Sequence, residues 1–166
     1  MKIRIYNSRD FKPIVRLLEE LLDLMVEIDN MGRSRRLASW GEKHAKSLLG
    51  EVKKNSGIIF VAEDKRGVVG CIVGLIENQT KKELMENKPT KAVRIVELIV
   101  KKSCRKKGTG KKLMSEMEAY FEKMNCDAIR VEVFAPNKSA HKFYNRLGYE
   151  DRSIDLIKII KPPKRE

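Results

Sequence analysis

The sequence predicts an α/β fold of the mixed α+β kind: a central, mostly antiparallel sheet of six or seven strands flanked by about four helices. Three observations carry this. Strand-like segments follow one another in mid-chain at 58–63, 68–77 and 92–100. A helix and a further strand, 128–134, come next, in the β-α-β order of a parallel crossover. Two helical stretches precede the block, the first with an apolar stripe that needs a sheet face to cover.

Each element has its own warrant. Residues 2–6 read as a strand, and Ser8 or Asp10 is placed to cap a helix with Pro13 in its first turn. Ile14, Leu17, Leu18, Leu21, Leu22 and Met25 recur at helical spacing. The opposite face, Glu19, Glu20, Asp23 and Glu27, is expected to be solvated. Residues 30–41, with Gly32, Gly41 and the cluster Arg33, Arg35 and Arg36, read as a loop or broken helix, and a second helix covers 42–54. Asn55-Ser56-Gly57 is a turn, and Asp64-Lys65-Arg66-Gly67 joins the next two strands as a hairpin. The lysine-rich stretch 78–91 reads as a loop. A helix ending near Asn125 puts Leu113, Met117, Tyr120, Phe121 and Met124 on one face. Another opens at Asn137 and ends at Gly148, a C′ glycine. Residues 149–160 supply one or two last strands. The reading is one domain over 1–160 and a basic tail over 161–166, where Pro162 and Pro163 cannot continue a sheet.

Composition narrows the function classes. A chain of 166 residues suits one domain, and 42% hydrophobic residues is too many for disorder. No apolar run approaches the roughly 20 residues a membrane span needs. The start, Met1-Lys2-Ile3-Arg4-Ile5, reads as a strand and not as a signal peptide, so the cytoplasm is the expected location. Cys71, Cys104 and Cys126 form no C-x-x-C pair, which argues against a disulfide framework and a zinc site. His44 and His141 lack partners at metal spacing and are expected to be satisfied or exposed, so no metal is expected. Charged residues reach 36% and Gln79 is the sole glutamine, a pattern that leans towards a hyperthermophile source. The net charge of +13 asks for an anionic partner: nucleic acid, or a local anion site on a basic surface. With 6% aromatic residues and no basic stretch interleaved with aromatics, base stacking has little to work with, and nucleic acid is the weaker alternative.

The local anion site has a candidate. Strand 92–100 runs into Arg105-Lys106-Lys107-Gly108-Thr109-Gly110-Lys111-Lys112 and then a helix. A helix start leaves N–H groups unpaired and its dipole favours negative charge there. Gly108 and Gly110 let a phosphate approach the backbone. A Walker A loop would need glycine at Arg105 and Ser or Thr at Lys112. A dinucleotide fingerprint would need a third glycine at Leu113.

Arg105–Gly110 resembles the R/Q-x-x-G-x-G/A loop of the GNAT superfamily of N-acetyltransferases. Downstream, Asn137-Lys138-Ser139-Ala140-His141-Lys142-Phe143-Tyr144 with Leu147-Gly148-Tyr149 is similar to the family's N-x-x-A-x-x-F-Y…G-F/Y segment. The strand and helix order fits the GNAT-like fold from about residue 2 to 160. The resemblance implies acetyl-CoA as acyl donor, its pyrophosphate held by Arg105, Lys106, Lys107, Gly108, Thr109, Gly110 and Lys111. It implies that the backbone of Leu98, Ile99 and Val100 pairs with the pantetheine arm, and that Asn137 and Phe143 border the cofactor. It also implies Tyr144 as proton donor to the departing thiolate, although Ala140, Tyr144 and Leu147 form a helical stripe in which Tyr144 could simply pack.

Other roles come from the residues themselves. Glu97 is out of place among Ile95, Val96, Leu98 and Ile99, and is the candidate base for an ammonium acceptor. The competing reading pairs it with Arg94 or a lysine on an exposed face. Cys104 beside Arg105 reads as a bystander, so direct attack by the amine is expected. The acceptor side falls on residues 24–41, 78–91 and 150–156, whose mixed charge selects no substrate. A peptide N-terminus, a lysine, a polyamine and a small antibiotic-type amine all stay open. Dimers are common in the family, which leaves a homodimer open, and a catalytically inactive acyl-CoA-binding member is a further alternative.

Overall fold

Segments 58–64 and 67–77 carry apolar residues on both faces, so the hairpin they form has to be covered twice. A computed structural model, which describes residues 1–161, has this arrangement. Strands β2 (Ile58–Asp64) and β3 (Gly67–Glu77) pair antiparallel about Lys65 and Arg66, with Gly67 at φ +101°. On their flanks β1 (Lys2–Ile5) pairs antiparallel with β2, and β4 (Ala92–Val100) antiparallel with β3. Strand β5 (Ala128–Val131) joins β4 in parallel, giving the order β1-β2-β3-β4-β5.

Helices α1 (Phe11–Ile28) and α2 (Trp40–Lys54) cover one face, where Ile14, Leu17, Leu18, Ala45 and Leu48 meet Ile59, Val61, Cys71, Val73 and Ile99. After a short α3 (Lys81–Glu86), helices α4 (Thr109–Lys123) and α5 (Lys138–Asn145) cover the other. There Leu113, Met114, Met117, Phe121 and Tyr144 meet Phe60, Ile72, Val93 and Ile95. Among the described residues no helix is long and apolar enough to cross a membrane.

The mixed sheet is as expected, with differences in detail. It has five strands among the described residues instead of six or seven, and five helices. Residues 149–159 form no strand. Ile154, Leu156 and Ile157 alternate enough to look strand-like but lie exposed, and a strand needs a partner edge as well as a pattern. β5 stops at Val131 instead of 134. In 78–91, α3 forms because Thr80 and Glu83 build a reciprocal cap, each side chain accepting the other's backbone N–H. At α1 neither Ser8 nor Asp10 makes a side-chain cap. Asn7 caps the 3-10 turn Ser8–Asp10 instead, while Asp10 turns to Arg4. The acidic face of α1 is also more than solvated: Asp23 and Glu19 hold Arg36, and Glu20 accepts the Lys102 N–H. Of the expected tail, 162–166 lie outside the described residues.

Candidate active site

The site starts from an unequal pair of strands. β4 is nine residues long, yet β5 pairs only with Ala92, Val93, Arg94 and Ile95. Beyond Ile95, among the described residues, β4 has no ladder on that side, and a slot opens with backbone along one wall. Leu98 and Val100 pack towards α4 and α5, whereas Ile99 is buried against α1 and α2.

The same strand carries a bulge. Val73 sits opposite Glu97 and Gly74 opposite Ile95, so Val96 is the extra residue. Bulges re-aim side chains, and this one puts Glu97 on the α2 side. There Glu97 Oε1 lies 2.8 Å from His44 Nε2. Trp40, one helical turn before His44, stacks on the imidazole with ring centroids 4.6 Å apart and planes 16° from parallel. Glu97 therefore pairs with neither Arg94 nor a lysine. His44 is satisfied, as expected, but by an unexpected partner.

At the far end of β4 the basic loop wraps into a nest. Lys106 has φ +60° and Gly108 φ +77°, so residues of opposite hand alternate and successive N–H groups converge. Helix α4 begins with no side-chain cap. Thr109, a residue that could have supplied one nearby, is buried and directs its hydroxyl to Met1 Sδ at 3.2 Å. A Cβ built on Gly108 would meet nothing within 4 Å, so the space in front of the nest is open. Unsatisfied first-turn donors, an open approach and the exposed Lys106, Lys107, Lys111 and Lys112 fit a phosphate group. Arg105 faces elsewhere: its Nε donates to Val100 O at 2.8 Å and Nη2 lies 3.4 Å from Glu20 Oε1. It fastens the loop to the end of β4 and to α1. Lys107 Nζ donates to Ser103 O at 3.3 Å.

Helix α5 closes the slot. Asn137 Oδ1 accepts the Ala140 N–H at 3.1 Å and caps it. A Cβ built on Gly110 would lie 3.3 Å from the Phe143 ring, so this glycine allows α5 to close against the start of α4. That contact is where the two sequence motifs meet. Tyr144 is buried, edge-on to Phe143 at 5.2 Å and to Tyr149 at 5.6 Å. Burial first, and the negative charge of Glu97 second, push the Tyr144 phenol well above its ordinary pKa. Cys104 is buried, its Sγ 3.1 Å from Arg66 Nη2. His141 pairs with Asp151 at 2.6 Å, away from this chemistry.

The structure thus brings Leu98, Val100, Phe143 and Tyr144 into one cluster, with Gly110 at the start of α4 against Phe143, while Ile99 and Glu97 face α1 and α2. Sequence reasoning missed His44 and Trp40. Their i,i+4 spacing hinted at a shared face, but nothing local pointed to Glu97, 53 residues away.

The chain belongs to the Acetyltransferase (GNAT) family, whose model matches residues 16–149. It is 34% identical over 108 residues to an uncharacterized N-acetyltransferase of Methanocaldococcus jannaschii, covering 64% of this chain and 62% of that one. The chain therefore spans under two thirds of that relative's length. Among solved structures, a tetramutant of a Bacillus halodurans protein superposes with a TM-score of 0.80 at 22% identity, covering 96% of this chain and all of that one. A glucosamine-6-phosphate N-acetyltransferase from Arabidopsis thaliana superposes at 0.66 and 20% identity, covering 96% and 98%. At those identities the likeness is one of fold.

Proposed function

We propose that this protein, as a single cytoplasmic domain over residues 1–160, transfers an acetyl group from acetyl-CoA to a primary amine by direct attack. The observation that carries the reading is the uncapped, open nest at the start of α4, at the foot of the slot that Tyr144 and Glu97 flank. Acetyl-CoA supplies an electrophilic thioester carbon and a thiol leaving group. The nest residues Lys106, Lys107, Gly108, Thr109, Gly110 and Lys111 hold its phosphates, with Arg105 keeping the loop in place. The backbone of Leu98, Ile99 and Val100 aligns the pantetheine arm along the open edge of β4, although the Val100 carbonyl is already taken by Arg105. Asn137 and Phe143 wall the slot. Tyr144 holds its proton at Oη for the departing sulfur, and its raised pKa keeps that proton in place throughout the neutral range. Glu97 is the carboxylate of the base that relieves the acceptor of its ammonium proton.

The test is thiol release from acetyl-CoA against a panel of peptides with free N-termini, lysine amide, spermidine, glucosamine 6-phosphate and aminoglycosides. Release that depends on one member identifies the acceptor class. A thermal shift with CoA but no release across the panel would assign a binding role without turnover. Salt-sensitive DNA binding with no shift from CoA would replace the reading altogether.

A further inference from the structure

The bulge in β4 brings Glu97 to a histidine that neither motif contains, and the geometry of that contact is directional. A carboxylate only accepts hydrogen bonds. The Nε2 of His44, 2.8 Å from Glu97 Oε1, must therefore carry the hydrogen. A neutral ring with hydrogen on Nε2 has its lone pair on Nδ1, and Nδ1 has no hydrogen-bond partner among the described residues. Trp40 lies flat on one face of the ring and restricts its rotation. Exposure grades along the pair. The Glu97 side chain is 12% exposed and His44 30%, so the carboxylate is enclosed while the imidazole reaches water.

We propose that the base of this site is a two-residue unit in which His44 Nδ1 takes the proton and Glu97 fixes the ring. This rests on the amine-acetyltransferase reading above. An N–H bond of the acceptor ammonium breaks and an Nδ1–H bond forms. The electron pair left on nitrogen becomes the nucleophile. The positive charge moves onto the ring, where the Glu97 carboxylate and the Trp40 face stabilise it. The proton then passes from Nδ1 to water and the starting tautomer returns. Glu97 is a positioning residue in this arrangement. The other titratable groups facing the pair are Cys71 on β3 and Tyr144 on α5, both close enough to feel the Glu97 charge. From α1, Glu19 packs against Gly41 within a turn of His44. On α2 itself, Lys43 lies beside His44 in sequence and Lys46 is engaged by Glu42.

The experiment compares His44→Gln, Glu97→Gln and the double variant with wild type. Each is confirmed as folded by its thermal shift with CoA, and the acceptor is whichever of the peptide, lysine amide or spermidine supports thiol release. At pH 7, His44→Gln should lower kcat/KM by about 100-fold, the lower end of what a positioned base contributes. The deficit should narrow as pH rises towards the acceptor's own ammonium pKa, because solvent then supplies the neutral amine. The double variant should be no slower than the slower single one. A deficit of the same size at every pH, or losses that multiply, would give His44 a purely structural role and overturn the proposal. A second readout needs no turnover. Trp40 is the sole tryptophan, and a protonated imidazole stacked on it quenches its emission. Wild-type emission should change with pH and stay flat in His44→Gln. Identical profiles in the two proteins would refute the stacked, titrating pair. If wild type releases no thiol with any acceptor, the function reading fails, and the fluorescence comparison still judges the pair.

Discussion

Tyr144 keeps its proton because two effects push the same way: the ring is buried, and the nearest charge it feels is negative. Tyr144→Phe should leave the packing against Phe143 and Tyr149 intact and lower kcat by about 100-fold. Wild-type kcat should show no loss from phenol ionisation up to about pH 10, the ordinary tyrosine value. A wild-type kcat for Tyr144→Phe across that range would reduce the residue to packing. Gly108 makes a separate prediction. Its φ of +77° is strained for any residue with a Cβ, although nothing stands in the way of one. Gly108→Ala should therefore cost about 1–2 kcal/mol of stability through backbone strain alone. It should also weaken CoA binding by narrowing the approach to the nest. Urea unfolding and calorimetric titration check the two effects independently.

At the scale of elements, the join of β1, α1 and β2 is fixed by one arginine. Arg4 donates to Asp10 at 2.7 and 2.9 Å and to Glu63 at 2.9 and 3.2 Å, and Asp10 also accepts the Asn7 N–H. The hydrogen bonds from Arg4 hold the Asp10 carboxyl below its ordinary range, against the opposing effect of burial. A depressed folded pKa contributes stability that is complete above the unfolded value, about 3.9, and is lost as pH falls through the folded value. Asp10→Asn should therefore cost about 2 kcal/mol at pH 7. The gap to wild type should close on acidification below about pH 4. Urea midpoints at pH 7 and pH 3 measure it, and an equal gap at both would exclude the ionic contribution. The same join shows where sequence reasoning reaches its limit. The strand at the start and the helix after it were legible from alternation and from the Ile14–Leu17–Leu18 stripe, because both patterns are local. That neither Ser8 nor Asp10 caps the helix with its side chain was not, because Asp10 is drawn to Arg4, which Glu63 of β2 also holds. α3 was hidden for a different reason: Thr80 and Glu83 stabilise it in a stretch without an apolar stripe. Residues 149–159 were misread in the opposite sense, having the alternation of a strand but no edge to pair with. The loop and Tyr144 were legible as candidates because each lies in a contiguous motif. His44 was not, since a bulge at Val96 cannot be seen without the register of β3.

Over the whole molecule the net charge of +13 is unevenly used. Arg36 and Arg105 are turned onto the acidic face of α1, and Arg4, Arg66 and Arg130 have carboxylate partners. The exposed lysines at the start of α4 answer to the nest instead, where a phosphate-bearing ligand would meet them. Exposed pairs of this kind contribute about 0.3–1 kcal/mol each at low salt and are screened as the Debye length shrinks from about 10 Å at 0.1 M to 3 Å at 1 M. Three such contacts add up to about 1–3 kcal/mol, and losing about 1.4 kcal/mol of that to screening is tenfold in affinity. The dissociation constant for CoA should therefore rise about tenfold between 0.05 and 1 M NaCl. Pantetheine carries the same arm without phosphates, and its weaker binding should stay flat over that range. Lys106→Ala/Lys107→Ala should remove part of the CoA slope and leave pantetheine untouched. If CoA and pantetheine showed the same dependence, the basic loop would not be the phosphate site, and the surplus charge would need another anionic partner.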